Sequence, residues 1–546
     1  MELTKRQKII FNIVAVICIA IMAFAVSPKT LQNDTYYTVK IGEHILNTKT
    51  VDMMDPFSWH QDLKYTYPHW LYDVMMNIIY QIGSWDGIYI STIVFSSLLG
   101  IAIYFTNSKL TKNKLTSLIF ALLDLYLLKD FIAARAQLVT FILFALTIYL
   151  LERFVVKPKK IYAICLVIIS LLIANLHCAV WPFFFILFLP YIAEYLFIAY
   201  YDSDIMLRVI YLIKKMKIKL SKKSNKEELI NKEKQELERK LKAINEQRNS
   251  ARENAYKIEI EKNKNIKYLI IVAIICALMG LLTPLGDTPY TYLIKTMQGN
   301  TTQNINEHLP ITFWDNKPIL IVYAVLIALW MFTKTKIKLR DLFLIGGLML
   351  LTIMSKRQSS MLLVVGTLIF NKYLAKYLET TTLKKLQQNI TKTVGTIIGA
   401  ILVISIVGLI GYNLYKDKKD DKYISESTYP VQACDFILNN IEDLKNARFF
   451  NEYNYGSYML YRNIPVFIDS RADLYAPEFS GKDEDIFSDF LDISNFGMDY
   501  EDGFEKYGIT HVILYQDAKL NNSLKLDKNY KQIYSDKHFV IYERLK

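Results

Sequence analysis

The chain has 546 residues, of which 52% are hydrophobic and 13% aromatic, and carries a formal net charge of +13. A water-soluble chain of this length divides into a few domains built from amphipathic helices; here apolar runs of about 18 residues recur, each able to cross ~30 Å of hydrocarbon, so the class is an integral membrane protein. The positive charge gathers beside those runs, chiefly in 214–264 with smaller groups at 157–160 and 334–340. No aromatic-interleaved basic motif accompanies it, which argues against a nucleic-acid partner and leaves membrane lipids as the natural anionic neighbours.

Residues 1–8 contribute two Lys and one Arg ahead of a first apolar run at 9–26. A cleavable signal peptide ending near Ala23-Phe24-Ala25 competes with a retained first span, and the many later spans favour retention. Further runs follow at 86–106, 115–131, 138–154, 161–176, 180–200, 266–282, 318–332, 342–354, 361–377 and 394–415, for about eleven spans in all. With a cytoplasmic N-terminus, the Lys- and Arg-rich loops fall inside the cell, as the positive-inside rule requires. The segment 69–82 is apolar but too short to span. Counting it as a span would invert every later loop, so it is expected to lie on the outer surface as an interfacial helix.

The expected organisation is a membrane region over 1–202 with a first outer loop at 27–86, a charged cytoplasmic insertion at 203–265, a second membrane region at 266–415 and an extracytoplasmic domain at 416–546. The insertion lacks Pro and Gly between 221 and 264 and places Ile230, Leu237 and Ile244 at seven-residue spacing. That spacing predicts a helical hairpin or short coiled coil, either a solvated arm or a dock for a cytoplasmic partner. Beyond 415, strand-like runs at 465–468, 511–515 and 538–542 alternate with helical patterns at 431–444 and 484–490, which predicts a small α/β domain. The five cysteines show no CxxC and no zinc spacing.

Chemistry concentrates on the outer face. Asp34 stands a few residues beyond the first span, in Asn33-Asp34-Thr35-Tyr36-Tyr37, followed by Gly42-Glu43, Asp52-Met53-Met54-Asp55-Pro56-Phe57-Ser58 and Pro68-His69-Trp70-Leu71. A carboxylate held just above the bilayer can take a proton from a nucleophile while a lipid-linked donor lies beside it; the alternative is a helix cap. Arg135 and the Lys356-Arg357 pair break the charge rule by lying at outer ends of spans. Arg binds phosphate bidentately, so both arginines are candidate phosphate ligands, against snorkelling or pairing with Asp130. His177 and the Glu307-His308 pair share that face and could contact a sugar, a phosphate or a metal. Asp124 lies inside a span, where a carboxylate is costly, and is the best support for a transporter or lipid flippase. In the outer domain, Tyr455-Gly456-Ser457-Tyr458 and Asp469-Ser470-Arg471-Ala472-Asp473 combine rings and charges suited to a carbohydrate or to ordinary packing.

Together the first-loop motifs and the multi-span layout resemble the GT-C superfamily of integral membrane glycosyltransferases, in particular a group of bacterial members. The resemblance implies an inverting transfer of sugar from a polyprenyl-phosphate-linked donor to a glycan, lipid or protein acceptor on the outer face. It implies Asp34 as general base or as the residue that positions the acceptor, and the rule-breaking Arg135, Lys356 and Arg357 are then the candidates for the donor phosphate. It further suggests Asp55, His69, His177, Glu307, His308, Tyr455 and Arg471 for substrate contacts. Some members of the superfamily hold a divalent metal such as Mg or Mn, for which Asp52, Asp55 or Glu307 could supply ligands. Tyr455-Gly456 faintly resembles the aromatic-Asp-Tyr-Gly motif of oligosaccharyltransferases, but Asn454 stands in place of the Asp. A non-catalytic receptor or scaffold is the remaining reading.

Overall fold

Each expected apolar run lies on a helix in a computed structural model that describes residues 4–221, 224–299, 301–312 and 317–545. Parts of the N-terminal basic segment, the charged insertion and the 283–317 outer loop fall outside the described residues. The chain is a multi-pass membrane protein. Among the described residues, six helices are long and apolar enough to span by themselves. Others of 10–17 apolar residues, such as Lys160–Leu176 and Ile266–Leu281, complete the bundle.

Helix α1 (Lys5–Val26) opens with a capping box from Thr4 and Gln7 and is followed by α2 (Asn33–Thr48) on the side of the C-terminal domain. The next helix, α3 (Trp70–Thr111), joins the expected surface helix directly to the following span. The two meet at Ser84, whose φ of 51° lies in the left-handed region and breaks the helical path. The segment expected as a surface helix at 69–82 is helical, and it runs into the following apolar helix without an intervening loop. Gly42 makes the α2–α3 packing possible. A Cβ at that position would stand 2.1 Å from the Asp73 carbonyl oxygen, which no side chain tolerates.

The bundle continues with α4 (Lys114–Leu127), α5 (Ala136–Val156), α6 (Lys160–Leu176), α7 (Trp181–Ile186) and α8 (Leu189–Asp202). The insertion is a hairpin of α9 (Ile205–Leu220) and α10 (Lys226–Glu253), bridged by Lys214–Glu233 at 2.8 Å and Arg248–Asp204 at 2.7 Å. It returns through β1 (Ile258–Glu259), which pairs in parallel with β2 (Ile337–Lys338). After α11 (Ile266–Leu278), α12 (Thr288–Gln298), α13 (Thr301–Asn304) and α14 (Lys317–Phe332) come α15 (Leu339–Met354) and α16 (Ser359–Thr380). Helices α17 (Leu383–Val394) and α18 (Ile397–Lys416) close the membrane region, α18 packing along α1. The basic loops meet at the face opposite the C-terminal domain. There Arg340, only 2% exposed, pairs with Glu194 at 3.2 Å and Glu261 at 3.3 Å, and Lys372 with Asp341 at 2.8 Å.

The C-terminal domain carries a four-stranded sheet in the order β3 (Phe449–Phe450), β4 (His511–Tyr515), β6 (Phe539–Arg544), β5 (Tyr530–Ser535). β3 and β4 run parallel and the other neighbours antiparallel. The run at 465–468 is not a strand. Only Val466 forms a bridge, and its partner is Ser58 of the first outer loop. That run is continuously apolar because it lies between the loop and the domain, buried from both sides.

First outer loop and C-terminal domain share one buried core. Tyr36 of α2 sits among Tyr429, Tyr458, Tyr461 and Trp85, and Trp59 Nε1 donates to the Phe449 carbonyl at 3.0 Å. At the centre Arg471 binds Asp55 at 2.6 Å and Asp469 at 2.7 Å, with all three side chains at most 1% exposed. Burial disfavours the Asp55 carboxylate, but Arg471 and the Ser58 amide outweigh it and hold Asp55 below its ordinary value. Asp55, Arg471 and Tyr455 (fully buried, its OH donating to the Ile513 carbonyl at 2.7 Å) are thus interior residues, not the substrate contacts that their sequence neighbourhoods suggested. Removing one partner of such a cluster leaves buried charge uncompensated, which costs about 3–5 kcal/mol. Arg471→Met should therefore lower the unfolding temperature of the purified protein sharply. A stable Arg471→Met protein that lost only activity would return Arg471 to the substrate site.

Candidate active site

Asp34 is the second residue of α2, in the first turn, where the helix dipole favours a carboxylate. It is not a cap: its Oδ2 pairs with Arg135 Nη2 at 2.8 Å. Arg135 immediately precedes α5 and reaches Glu307 Oε1 through Nη1 at 3.3 Å. The expected alternative partner, Asp130, is not used. One guanidinium thus joins the start of α2, the start of α5 and the 306–308 turn.

The turn at Lys356–Gln358, before α16, docks against the same place. Lys356 N donates to the Leu309 carbonyl at 2.9 Å, and its Nζ donates to Asn306 Oδ1 at 3.1 Å. Gln137 donates to Ser360 Oγ at 3.2 Å, tying α5 to α16. Between these segments lies a cleft of about 200 Å³, lined by Gln32, Asp130, Arg135, Glu307, Lys356 and Arg357 among others. Among the described residues the Arg357 guanidinium makes no hydrogen bond or ion pair. Three buried polar atoms around the Arg135–Asp34 pair, Gln32 Oε1, Asn33 Oδ1 and Arg135 Nε, also lack a protein partner. A cleft with a free guanidinium and unsatisfied polar groups is built to receive a polar ligand.

Behind it runs a second layer. Tyr37, one turn beyond Asp34, meets His69 Nε2 through its hydroxyl at 3.2 Å, while His69 Nδ1 lies 2.7 Å from Asp73 Oδ1. His177 stands with its ring 6.4 Å from that of His69 and its Nδ1 3.0 Å from Thr140 Oγ1. Asp473 of the C-terminal domain bonds the Tyr292 hydroxyl of α12, and Thr301 at 3.3 Å.

Charge organises the cluster. Burial draws Arg135 down, but Asp34 and Glu307 outweigh it and keep the guanidinium charged. Burial pushes Glu307 up, and Arg135 with Arg357 pulls it below its ordinary value. His177 is driven well down by burial and by Arg357, and His308 falls to about 4 for the same two reasons, so both are neutral near pH 7. Burial also lowers His69, but Asp73 outweighs it and leaves His69 above its usual value. Burial raises Asp73 against the pull of His69.

The structure thus brings Arg135, Glu307, Lys356 and Arg357 to one cleft, with Asp34 joined to it through Arg135 and with His69, His177 and His308 close enough to feel Arg357. Asp55, Tyr455 and Arg471 lie apart in the outer core. The pairing of Asp73 with His69 is not among the sequence-based expectations, although four-residue spacing on a helix is its signal. Neither are Tyr37 and the approach of Asp473, which no local pattern announces. No three His, Cys, Asp or Glu side chains gather as a metal site requires among the described residues. Asp52 is engaged by the Tyr67 hydroxyl at 2.9 Å, Asp55 by Arg471 and Glu307 by Arg135. These carboxylates do not fit a divalent-metal site. Asp124 lies inside the bundle and accepts from Thr367 Oγ1 at 2.7 Å.

Neither a comparison with sequence-family models nor one with curated proteins finds a match. Among solved structures, the chain is similar to the archaeal oligosaccharyltransferase AglB from Archaeoglobus fulgidus, determined with an inhibitory peptide and a dolichol-phosphate. The TM-score is 0.52 at 11% identity, over 94% of this chain and 70% of that one. ArnT from Cupriavidus metallidurans, determined with undecaprenyl phosphate, aligns at a TM-score of 0.45 and 8% identity over 98% of this chain and 97% of that one. The chain therefore shares the fold of that oligosaccharyltransferase, a mainly helical membrane body with a small α/β domain on one face.

The His69–Asp73 pair generates a pH dependence. A histidine whose folded value is raised adds stability that is present in full below its unfolded value of about 6.5 and is lost as pH rises through the folded value. The unfolding temperature of the native protein should exceed that of His69→Gln most below about pH 6.5, with the gap shrinking as pH rises beyond that value. A gap independent of pH would show that His69 is not charged in the folded state.

Proposed function

We propose that the protein is a membrane glycosyltransferase that moves a sugar from a polyprenyl-phosphate carrier to an acceptor on the outer face. The observation that carries this is the Arg357 guanidinium, unpaired among the described residues, in a cleft also lined by Lys356 and by the Arg135 that holds Asp34. The fold, shared with an oligosaccharyltransferase solved with a dolichol-phosphate, supports the same reading.

In this mechanism the donor phosphate enters the cleft and is bound by Arg357 and Lys356, planar fork and point charge together. Arg135 then divides its donors between Glu307 and the phosphate, which releases Asp34 from its ion pair and makes it a better base. An acceptor hydroxyl or amide gives its proton to Asp34 as its heteroatom bonds to the sugar C1. The bond from C1 to the phosphate oxygen breaks, and the electron pair leaves on the polyprenyl phosphate, whose negative charge the two cations stabilise. Single displacement at C1 inverts the anomeric centre. The N-terminus and the basic loops would face the cytoplasm and the C-terminal domain the opposite side, as the charge distribution favours.

Two variants test the assignment. Asp34→Asn should fold and bind undecaprenyl phosphate, yet lose about 10²–10⁴-fold in the rate of sugar transfer from membrane-extracted polyprenyl-phosphate sugars. Arg357→Ala should weaken undecaprenyl phosphate binding by about tenfold, the loss of a charge-assisted hydrogen bond. Full transfer activity in Asp34→Asn sinks the base assignment, and unchanged lipid-phosphate affinity in Arg357→Ala sinks the phosphate site.

A further inference from the structure

At the membrane face opposite the cleft, two cavities join. The first is an apolar slot of about 160 Å³ between α14, α15 and α16, walled by Tyr323, Trp330, Gly346, Met349, Phe370 and Tyr377 among others. The second, of about 960 Å³, carries Lys334, Lys336 and Lys376 with Glu253 and Glu259. Thr333, Thr335 and Tyr377 border both, so the slot opens into the charged chamber.

The slot is a consequence of Gly346. Nothing lies within 4 Å of where its Cβ would be, nor of where that of Gly347 would be. From Tyr323 to Phe332, α14 rises about 14 Å, roughly the depth of one bilayer leaflet. Water has no polar partners along these walls, whereas an acyl chain fits their chemistry and length.

The chamber selects the headgroup. Lys334 is exposed and has no ion pair among the described residues. Lys336 Nζ donates to the Glu253 backbone carbonyl at 3.0 Å, a bond that leaves its charge in place. Lys376 faces Glu259 at 3.6 Å, beyond hydrogen-bond length. Three ammonium groups against two carboxylates leave one net positive charge, the complement of a single phosphodiester.

The charged insertion builds part of this chamber. Glu253 ends α10, and Glu259 lies on β1. Between them, Lys257 Nζ donates to the Trp330 carbonyl at 2.8 Å and the Met331 carbonyl at 3.1 Å, capping the end of α14. Trp330 Nε1 returns a bond to the Lys257 carbonyl at 3.3 Å.

We propose that this combined cavity is a binding site for a monoanionic phospholipid of the leaflet opposite the active site, with one chain in the slot beside Gly346 and its phosphodiester among Lys334, Lys336 and Lys376. The insertion then serves as one wall of a lipid site. The site is independent of the glycosyl-transfer reading.

The test uses the full-length protein in nanodiscs holding equal amounts of phosphatidylglycerol and phosphatidylcholine, with retained lipid read by native mass spectrometry. The native protein should retain phosphatidylglycerol several-fold over phosphatidylcholine. The combined variant K334Q, K336Q and K376Q should bring that ratio to about one. Gly346→Leu places a side chain in open space, so it should fold, and it should lose the retained phospholipid of either headgroup. A monodisperse size-exclusion profile and native-like helical circular dichroism in both variants report that they are folded. The proposal is overturned if the native protein shows no preference, if the triple variant keeps it, or if Gly346→Leu retains phospholipid as the native protein does. Equal protection by glycerol 1-phosphate, which has no acyl chain, would also overturn it.

Discussion

Arg471 is the residue on which the outer half of the molecule depends. Its guanidinium is shared between Asp469 of its own domain and Asp55 of the first outer loop, more than 400 positions earlier, in a setting from which water is excluded. Burial disfavours every charge there, and only mutual pairing makes the set tolerable. Because Asp55 also accepts from the Phe57 and Ser58 amides at 3.3 and 2.9 Å, the same carboxylate shapes the turn that carries Trp59 onto the domain. Loop and domain therefore form one body, and α2 is fixed between that body and the membrane helices. Asp34 owes its position to this arrangement: Asn33, its neighbour, donates to the Tyr453 carbonyl of the domain at 2.9 Å.

A rigid cap above a helical bundle leaves a boundary, and the cleft lies along it. The bundle supplies Arg135 and the turn with Lys356 and Arg357 from the ends of spans, and the cap supplies α2 with Asp34. Cations at those span ends contradict the usual charge bias of membrane proteins. Their retention is understandable where they are paired with Asp34 and Glu307, as Arg135 is, or held for a ligand. Arg357 has no ion-pair partner among the described residues, and burial together with its charge keeps His177 and His308 neutral.

Hydropathy and charge bias carried much of this in the sequence itself. Apolar run length located the helices, because crossing a bilayer imposes a length that no local contact can alter. The rule-breaking cations and the acidic residue after the first span were visible for the same reason, as exceptions to a strong constraint. What was not legible depends on contacts between distant segments. The run at 465–468 looks like a strand, but it is apolar because the outer loop covers it. Asp55 and Arg471 look like exposed site residues, because sequence gives charge without burial. The Ser84 break that joins the surface helix to its span leaves no signal beyond a Gly-Ser step.

The same reasoning separates the two ends of α16. At one end, the turn before it holds Lys356 and Arg357 against the cap; at the other, Lys376 and Tyr377 face the charged chamber beside the insertion. Between them the helix is almost wholly buried from Ser359 to Asn371, so it has little freedom to tilt. Packing of that density transmits displacement rather than absorbing it. The insertion meets the inner end of that helix through Glu259 and Lys376, and Arg357 stands just before its other end. The insertion and the cleft lie on opposite faces, yet they border one rigid element.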